Sequence, residues 1–208
     1  MKAVVAAILG CVLALSLTAC FLGSTVMTDS YANAEAYHAG DFEYRAEDVK
    51  KLEVNWYCGG VILKRAEGDM LRVTESGTGL QTEQAVHWLL TDGVLRVEFC
   101  ASGYAGRFSG QDKKLTVEIP AGLDIEVTTT SAGIAAELGK QKNVFLQTTS
   151  GTIEVSGETE AEALCLGTTS GAIGVEHLTA ESLSADTTSG SVRVLDVSVT
   201  DSIRLGST

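Results

Sequence analysis

The residues of this sequence that could do chemistry are three histidines, five cysteines and a series of Ser-Gly turns. His38, His87 and His177 stand apart from one another, without the HExxH or paired CxxC spacing that predicts a metal site. No GxSxG segment lies between a predicted strand and a predicted helix, where a serine hydrolase carries its nucleophile. We therefore expect surface or loop histidines, no metal site, no catalytic residue and no cofactor.

Cys20 ends a segment whose features predict export and lipidation. Lys2 is followed by an apolar run over residues 3–17, which is too short to cross a membrane comfortably and is typical of an export signal. The ending Leu17-Thr18-Ala19-Cys20 resembles the lipobox of bacterial lipoproteins, in which the signal is cleaved before the cysteine. By this resemblance, residues 1–19 are a lipoprotein signal peptide and Cys20 carries diacylglycerol on its sulfur. The alternative is an ordinary secretory signal in which Cys20 is incidental.

The lipobox resemblance also predicts where the chain resides. Two or more long acyl chains hold a protein stably on a membrane, because each buried methylene contributes about 0.8 kcal/mol. The membrane is therefore the first expected partner, and the protein should face the extracytoplasmic side of a bacterial envelope. Residues 20–36 are rich in small and polar types without a sustained period, so we interpret them as the lipidated N-terminus and a tether.

Residues 37–208 are long enough to form one domain with a sizeable core. The whole chain has a formal net charge of -12, from 27 acidic and 15 basic residues. Such a chain is repelled by nucleic acid, so no nucleic-acid partner is expected. The acidic residues are scattered singly, which favours a solubilising surface over a dedicated cation site.

Three cysteines remain once Cys11 leaves with the signal and Cys20 is lipidated. Cys58 and Cys100 lie near predicted strand ends in the non-repetitive half of the chain, and an exported protein meets oxidising conditions. A disulfide between them would contribute roughly 4 kcal/mol in the chain-entropy model. The alternative, in an anaerobic organism, is that all three remain thiols. Cys165 alternates between two apolar residues, so we expect it to face outward as a thiol.

Three nearly identical segments reveal an internal repeat: TTSGTIEV at 148–155, TTSGAIGV at 168–175 and TTSGSVRV at 187–194. A fixed period of about 20 residues is typical of solenoids, whose coils bury their apolar faces by stacking. Apolar residues alternate on both sides of each turn, which predicts two short strands that meet at a corner. The sequence therefore predicts an all-β, parallel β-solenoid with coils of about 20 residues.

The corners should form a structural ladder in which equivalent residues of successive coils lie about 4.8 Å apart. We expect hydroxyl hydrogen bonds to pass along the second threonines, and the glycines to adopt a backbone conformation that a side chain would penalise. The alternative is a functional surface, in which the exposed polar corners match a regular ligand such as a polysaccharide. The ladder residues are Thr149, Ser150, Gly151, Thr169, Ser170, Gly171, Thr188, Ser189 and Gly190.

The repeat pattern also reaches the first half of the domain. LEVNWYCGGVIL at 52–63 overlays VFLQTTSGTIEV at 144–155, so residues 37–120 are predicted to be a degenerate end of the solenoid before the regular coils of 121–208. Further strands are predicted at 70–74, 94–99 and 115–119. The pattern stops at Thr208 in the middle of a corner, so the chain is expected to end mid-coil. Aromatic residues that should close the open end of the core, rather than bind a ligand, are Trp56, Tyr57, Trp88, Phe99, Tyr104 and Phe108.

The lipobox, the tether, the opening strand of residues 52–63 and the serial TTSG turns together resemble the putative-adhesin family of bacterial exported proteins. This resemblance covers roughly residues 40–208 and implies a parallel β-solenoid without established catalytic residues. It predicts a lipid-anchored cell-envelope protein that presents a rigid surface for adhesion or envelope scaffolding, with an envelope polysaccharide or protein as partner. Some members are linked to envelope stress, so a regulatory partner in that signalling is the alternative.

A polysaccharide-active enzyme is a third and weaker interpretation, because parallel β-helices often carry lyases or hydrolases. Such a site needs carboxylates held together by neighbouring coils. The outward positions of the regular coils do not supply an acidic cluster: they are Ala135, Glu154, Gly174 and Arg193 in one row, and Phe145, Cys165, Ser184 and Arg204 in another.

Overall fold

The computed structural model describes residues 30–106 and 113–208. The signal peptide, Cys11, Cys20 and Phe108, with the predictions made for them, lie outside the described residues. The described parts contain short 3-10 helices at Ala34–Ala36, Ala46–Asp48 and Thr82–Gln84. The strands are β1 His38–Ala39, β2 Phe42–Arg45, β3 Lys51–Trp56, β4 Gly60–Arg65, β5 Met70–Ser76, β6 His87–Thr91, β7 Val94–Glu98, β8 Lys114–Ile119, β9 Asp124–Thr129, β10 Gly133–Glu137, β11 Gly139–Lys140, β12 Asn143–Thr148, β13 Ile153–Val155, β14 Thr159–Thr168, β15 Ile173–Thr187 and β16 Val192–Ser207.

These strands join in one 16-stranded, mostly parallel sheet, which confirms the all-β prediction. One row of parallel strands runs β7-β3-β9-β12-β14-β15-β16, and a second runs β8-β4-β10-β13-β15-β16. A third, shorter row runs β11-β14-β15-β16. Strands β14, β15 and β16 are long because each passes through more than one row. We call the chain between successive first-row strands a coil.

Apolar alternation determines how the coils align. Leu146 pairs with Leu166, Leu166 with Ala185, and Ala185 with Leu205. Equivalent positions of the repeat thus lie side by side, because parallel strands in register place like residues next to one another. The inward positions of β12, β14 and the end of β15 form one continuous core, in which Leu146, Leu166 and Ala185 are almost fully buried.

The overlay of residues 52–63 on the regular repeat is also present in the structure. Leu52 pairs with Ile125 and Val54 with Val127, while Val61 pairs with Ile134 across the second row. Strands β3 and β4 therefore form a coil that packs directly on the first regular coil. The later strands β7 and β8 pair with the opposite edges of β3 and β4, so a later segment of the chain lies farther out.

Antiparallel strands and aromatic side chains complete this end of the sheet. Strand β6 pairs with β1 and β7, and β5 pairs with β2 and β8, all antiparallel. The Trp56 ring packs edge-on against Phe99 at a centroid distance of 4.8 Å, and the Trp88 ring lies 4.3 Å from Phe42. Tyr57, Trp88 and Tyr104 are partly buried against the core. The aromatic residues of the first half thus belong to the core and its cover, as predicted for those that the structure describes.

Strand β16 lies at the other side of the stack, where it pairs with β15. Ile203 and Leu205 are 54% and 50% exposed, whereas their partners Leu183 and Ala185 are buried. The difference arises because β15 lies between two neighbouring coils, whereas β16 packs against β15 on one side. In residues 30–106 and 113–208, no helix has the length and apolar character needed to cross a membrane.

Candidate functional site: the corners and an aromatic cleft

The first threonine of each TTSG corner joins neighbouring coils through its side chain. Thr168 is 7% exposed, and its hydroxyl accepts the Gly171 N–H at 3.1 Å while donating to the Gly151 carbonyl of the preceding coil at 3.2 Å. Thr148 accepts the Gly151 N–H at 3.0 Å, and Thr187 donates to the Gly171 carbonyl at 3.0 Å. These buried hydroxyls satisfy backbone groups that the corner would otherwise leave without partners.

The prediction that the second threonines carry the hydroxyl ladder is therefore wrong by one residue. Thr149, Thr169 and Thr188 have exposed side chains, and they contact the preceding coil through the backbone instead. The Thr169 N–H, for example, donates to the Thr149 carbonyl at 3.2 Å. Strand alternation is the physical reason, because the inward row of Leu146 and Leu166 continues two residues later to the first threonine.

The corner glycines are required for a reason other than the predicted one. Gly151, Gly171 and Gly190 do not have a left-handed φ, so their backbone conformation is open to other residues. A Cβ atom on Gly171 would instead lie 1.7 Å from the Gly151 carbonyl oxygen, and one on Gly190 would lie 1.8 Å from the Gly171 oxygen. Glycine is needed here because the stacked backbones approach too closely for any side chain.

The remaining corner residues form an exposed polar surface, which we call the Thr-Ser strip. Backbone hydrogen bonds hold its members in a regular stack, as in the Ser150 N–H to Thr130 carbonyl bond of 2.9 Å and the Ser189 N–H to Thr169 carbonyl bond of 2.9 Å. The strip therefore presents hydroxyl groups at intervals of about 4.8 Å on a rigid backbone. Its members, all exposed, are Thr130, Ser131, Thr149, Ser150, Thr169, Ser170, Thr188 and Ser189.

A cleft of about 280 Å³, which we call the aromatic cleft, opens beside Thr130 and Ser131, the first two residues of the Thr-Ser strip. Its lining combines ring faces with amide, hydroxyl and carboxylate groups. Thr130 belongs to both the cleft and the Thr-Ser strip, so the two surfaces are continuous. The lining residues are Tyr31, Asn55, Trp56, Tyr57, Glu98, Phe99, Cys100, Thr128, Thr129 and Thr130.

Polar contacts hold the wall of the aromatic cleft in place. The Asn55 amide donates to the Glu98 carboxylate at 3.0 Å, and the Tyr31 hydroxyl donates to the Cys100 carbonyl at 3.1 Å. Burial raises the pKa of Tyr31, so its hydroxyl remains a protonated donor. Trp56 is 2% exposed, and its indole Nε1 has no hydrogen-bond partner among the described residues. Sequence reasoning missed this cleft, because its walls come from segments distant along the chain.

Lys113 lies beneath this region as a buried structural cation. Its ammonium group is 2.8 Å from the Glu75 carboxylate, and it donates to the carbonyl oxygens of Gln84 and Phe99. It also lies 4.2 Å from the centre of the Phe99 ring, within the range of a cation–π contact. Burial lowers the pKa of Lys113, opposed by its bond to Glu75. These contacts join the end strands to one another, a role that the sequence did not indicate.

The cysteines differ in their surroundings. Cys58 is half-buried and is a thiol in the structure. The Cys58–Cys100 disulfide is therefore not formed in this state, and its formation under oxidising conditions stays a prediction. The Cys58 and Cys100 thiol groups act to raise the pKa of Lys113, against the larger lowering effect of burial. Cys165 is a half-buried thiol between Phe145 and Ser184 of the neighbouring coils, as the repeat predicted.

His38 and His87 lie on the paired strands β1 and β6, where His38 pairs with Trp88 and His87 with Ala39, so alternation directs the two side chains to opposite faces. His38 is exposed beside the Trp88 ring at 4.8 Å, and the exposed His177 contacts the Asp196 carboxylate at 2.8 Å. His87 is half-buried on β6 with its Nδ1 2.9 Å from the Ala85 carbonyl, so it is less exposed than predicted. Within the described parts of the chain, no three His, Cys, Asp or Glu side chains come together as a metal site.

The outward rows of the regular coils follow the predicted pairing. Ala135 pairs with Glu154, Glu154 with Gly174, and Gly174 with Arg193. The other row pairs Phe145, Cys165, Ser184 and Arg204 in that order. Within these stretches no two carboxylates are neighbours. The second row continues beyond Phe145 to Glu126 and Glu53, which pair across β9 and β3 and each lie 2.7 Å from the Lys51 ammonium, so these two carboxylates belong to an ion-pair network.

Comparison with known proteins gives a family and several similar folds. Residues 43–207 match the family model described as Toastrack DUF4097. A putative cell adhesion protein from Clostridium sporogenes is 10% identical, with a TM-score of 0.43 over 82% of this chain and 100% of that one. A putative adhesin from Bacteroides fragilis is 12% identical, with a TM-score of 0.39 over 81% and 96%.

A putative adhesin from Parabacteroides merdae is 11% identical, with a TM-score of 0.37 over 88% of this chain and 100% of that one. No curated protein matches the sequence. The family match over residues 43–207 confirms the family resemblance predicted from the TTSG repeats.

Proposed function

The chain belongs to the Toastrack DUF4097 family, and we propose that it is a lipid-anchored cell-envelope protein that presents a rigid β-solenoid surface for adhesion or envelope scaffolding. In this proposal, Cys20 carries the lipid, and coils of about 20 residues hold the binding surface on the extracytoplasmic side. The tether predicted over residues 20–36 is the part before Tyr31, because Tyr31 is hydrogen-bonded to Ser102 and Cys100 of the domain. The partner is an envelope polysaccharide or protein.

The observation that supports this proposal most directly is the rigid, exposed Thr-Ser strip. Each corner is held by a backbone bond and a buried threonine hydroxyl, so the exposed hydroxyls of Thr149, Thr169 and Thr188 keep a constant spacing. A preorganised surface loses little conformational entropy when it binds. Such a surface suits contact with an extended or repetitive partner.

The anchor is tested by expressing the full chain and its Cys20→Ala variant in a bacterium with a fatty-acid analogue. The wild-type chain should take up the analogue and sediment with membranes, while the variant should lose the label and either leave the membrane fraction or retain its signal. Persistent labelling of the variant would contradict lipidation at Cys20.

The surface is tested by co-sedimentation of the purified full chain with bacterial envelopes from which membrane lipid has been extracted, so that the acyl chains on Cys20 do not mediate the contact. Replacing Thr149, Thr169 and Thr188 by glutamate should abolish co-sedimentation, because larger, strongly hydrated side chains would replace the exposed hydroxyls of the strip. A control with the same charge change replaces Thr179, Ser198 and Thr200, which are exposed elsewhere. If the strip variant sediments as well as the control and the wild type, the strip is not the binding surface.

A further inference from the structure

We propose that the aromatic cleft binds one sugar ring of a neutral envelope polysaccharide, and that the polymer continues along the Thr-Ser strip. This inference rests on the surface-presenting role proposed above and names its ligand class. It differs from the general role because it assigns a particular site at one end of the strip.

The composition of the cleft fits a sugar better than a purely apolar ligand. A sugar ring has an apolar C–H face and a polar hydroxyl rim, so it needs both ring surfaces and hydrogen-bonding groups. Tyr31 and Tyr57 are half-buried in the cleft lining and supply ring surface. Asn55 and Thr128 supply amide and hydroxyl groups in the same lining.

The cleft also contains a donor that lacks a partner in the protein. Trp56 Nε1 is closed to bulk water in this state and makes no hydrogen bond with the described residues. A buried donor without a partner carries an uncompensated desolvation penalty. When a small side-chain movement in the cleft wall uncovers the indole, a sugar hydroxyl would accept this hydrogen bond and offset that penalty.

Position and charge determine which glycan the site would take. Because Thr130 is shared by the cleft and the strip, a polymer whose end occupies the cleft meets the hydroxyls of Ser150 and Ser170 next. The whole chain has a formal net charge of -12. Like charge disfavours anionic polymers, so the preferred ligand is neutral.

The test is calorimetric titration of the full chain, purified in detergent, with neutral hexasaccharides of glucose, mannose and N-acetylglucosamine. An anionic hexasaccharide of galacturonate serves as the charge comparison. We expect at least one neutral probe to bind and the anionic probe to bind more weakly. Absence of binding by all three neutral probes at millimolar concentration, or tighter binding of the anionic probe, would overturn the inference.

Two variants locate the site. Tyr57→Leu removes a ring from the cleft wall and should weaken binding about tenfold, the value of one aromatic contact. Tyr44→Leu is the matched control, since Tyr44 is equally half-buried at the same end but packs against Phe42 and Trp88 outside the cleft. Thr130→Arg changes an exposed side chain at the cleft mouth and should block binding without affecting the fold. Equal affinities of Thr130→Arg and wild type would overturn the inference.

The same chains, tested by envelope co-sedimentation, separate this inference from the proposed function. Co-sedimentation that survives Thr130→Arg, or that is lost when the envelopes are treated with protease, leaves the surface role standing and overturns the glycan site. Hexasaccharide binding without envelope co-sedimentation supports the site and contradicts the surface role.

Discussion

The Thr168 hydroxyl lies between the Gly171 N–H of its own corner and the Gly151 carbonyl of the preceding coil, at 3.1 and 3.2 Å. One side chain thus closes a turn and joins two coils. Because Thr148 and Thr187 make equivalent bonds, the corners form a continuous column inside the protein. The Thr-Ser strip on the outside owes its regularity to this buried column.

Thr168→Val should destabilise the fold by about 1–3 kcal/mol, because it leaves the Gly171 N–H and the Gly151 carbonyl without their partner. Thr169→Val changes an exposed residue of the same type and should alter the free energy of unfolding by less than about 0.5 kcal/mol. Urea denaturation of both variants measures the difference. Equal effects would show that the first threonine is not the structural one.

Gly171→Ala should be among the most destabilising single substitutions, costing at least about 3 kcal/mol, since its Cβ would lie 1.7 Å from a backbone oxygen. Gly167→Ala is the control, because its Cβ would meet Gln147 at an ordinary 3.8 Å. The control should be neutral or slightly stabilising. Thermal unfolding that ranks the two variants in the opposite order would contradict the close stacking of the corners.

Leu166→Ala should cost about 2–5 kcal/mol, because the side chain is 1% exposed and its removal leaves a cavity between two coils. Leu205→Ala removes the equivalent residue two coils further on, where the side chain is 50% exposed. It should cost less than about 1 kcal/mol. Urea denaturation, fitted with one common dependence of the unfolding free energy on urea concentration, measures both losses. A larger loss of stability for Leu205→Ala would contradict the difference in burial between the two positions.

The Cys165 thiol should make stability depend on pH in the alkaline range. Burial, followed by the nearby Asp186 charge, raises the pKa of Cys165. The native state therefore holds this proton more tightly than the unfolded state, whose thiol pKa is about 8.5. Its contribution is present below that pH and is lost as the pH rises through the higher native value.

The comparison that isolates this effect is wild type against Cys165→Ser, unfolded in urea at a series of pH values. The wild type should lose stability relative to the variant above pH ~8.5. Alkylation of native Cys165 by iodoacetamide should likewise be slower than that of the unfolded chain. A stability difference that stays constant with pH would contradict the raised pKa.

Cys58 and Cys100 are predicted to be joined when the protein is exported into an oxidising compartment. Mass spectrometry of the alkylated, non-reduced protein should then find one linked peptide pair and Cys165 modified. The reduced protein should unfold more easily, by roughly 4 kcal/mol in the chain-entropy model. Alkylation of all three cysteines in protein taken from the envelope would refute the pairing.

The repeated TTSG segments were sufficient to predict the register of the regular coils. A period of two within strands and of about 20 between them favours the alignment in which inward apolar residues stack, as Leu146, Leu166 and Ala185 do. The same alternation predicted that Leu52 occupies an inward position of the repeat, and the structure pairs it with Ile125. The same alternation also predicts that Thr168 points inward, two residues after Leu166, so the hydroxyl ladder expected at Thr169 belongs one residue earlier.

The order of the end strands and the aromatic cleft were decided by the tertiary structure. The spatial order of β7, β3 and β9 could not be predicted from each segment alone. All three strands have the same alternation of apolar and polar residues, so the pattern allows them to pair in any order. Distant contacts such as the Lys113–Glu75 ion pair select one arrangement. The aromatic cleft, with Tyr31, Glu98 and Thr130 in one wall, likewise exists only after that choice. Periodic burial is encoded within each segment, whereas a site made of several segments depends on long-range packing.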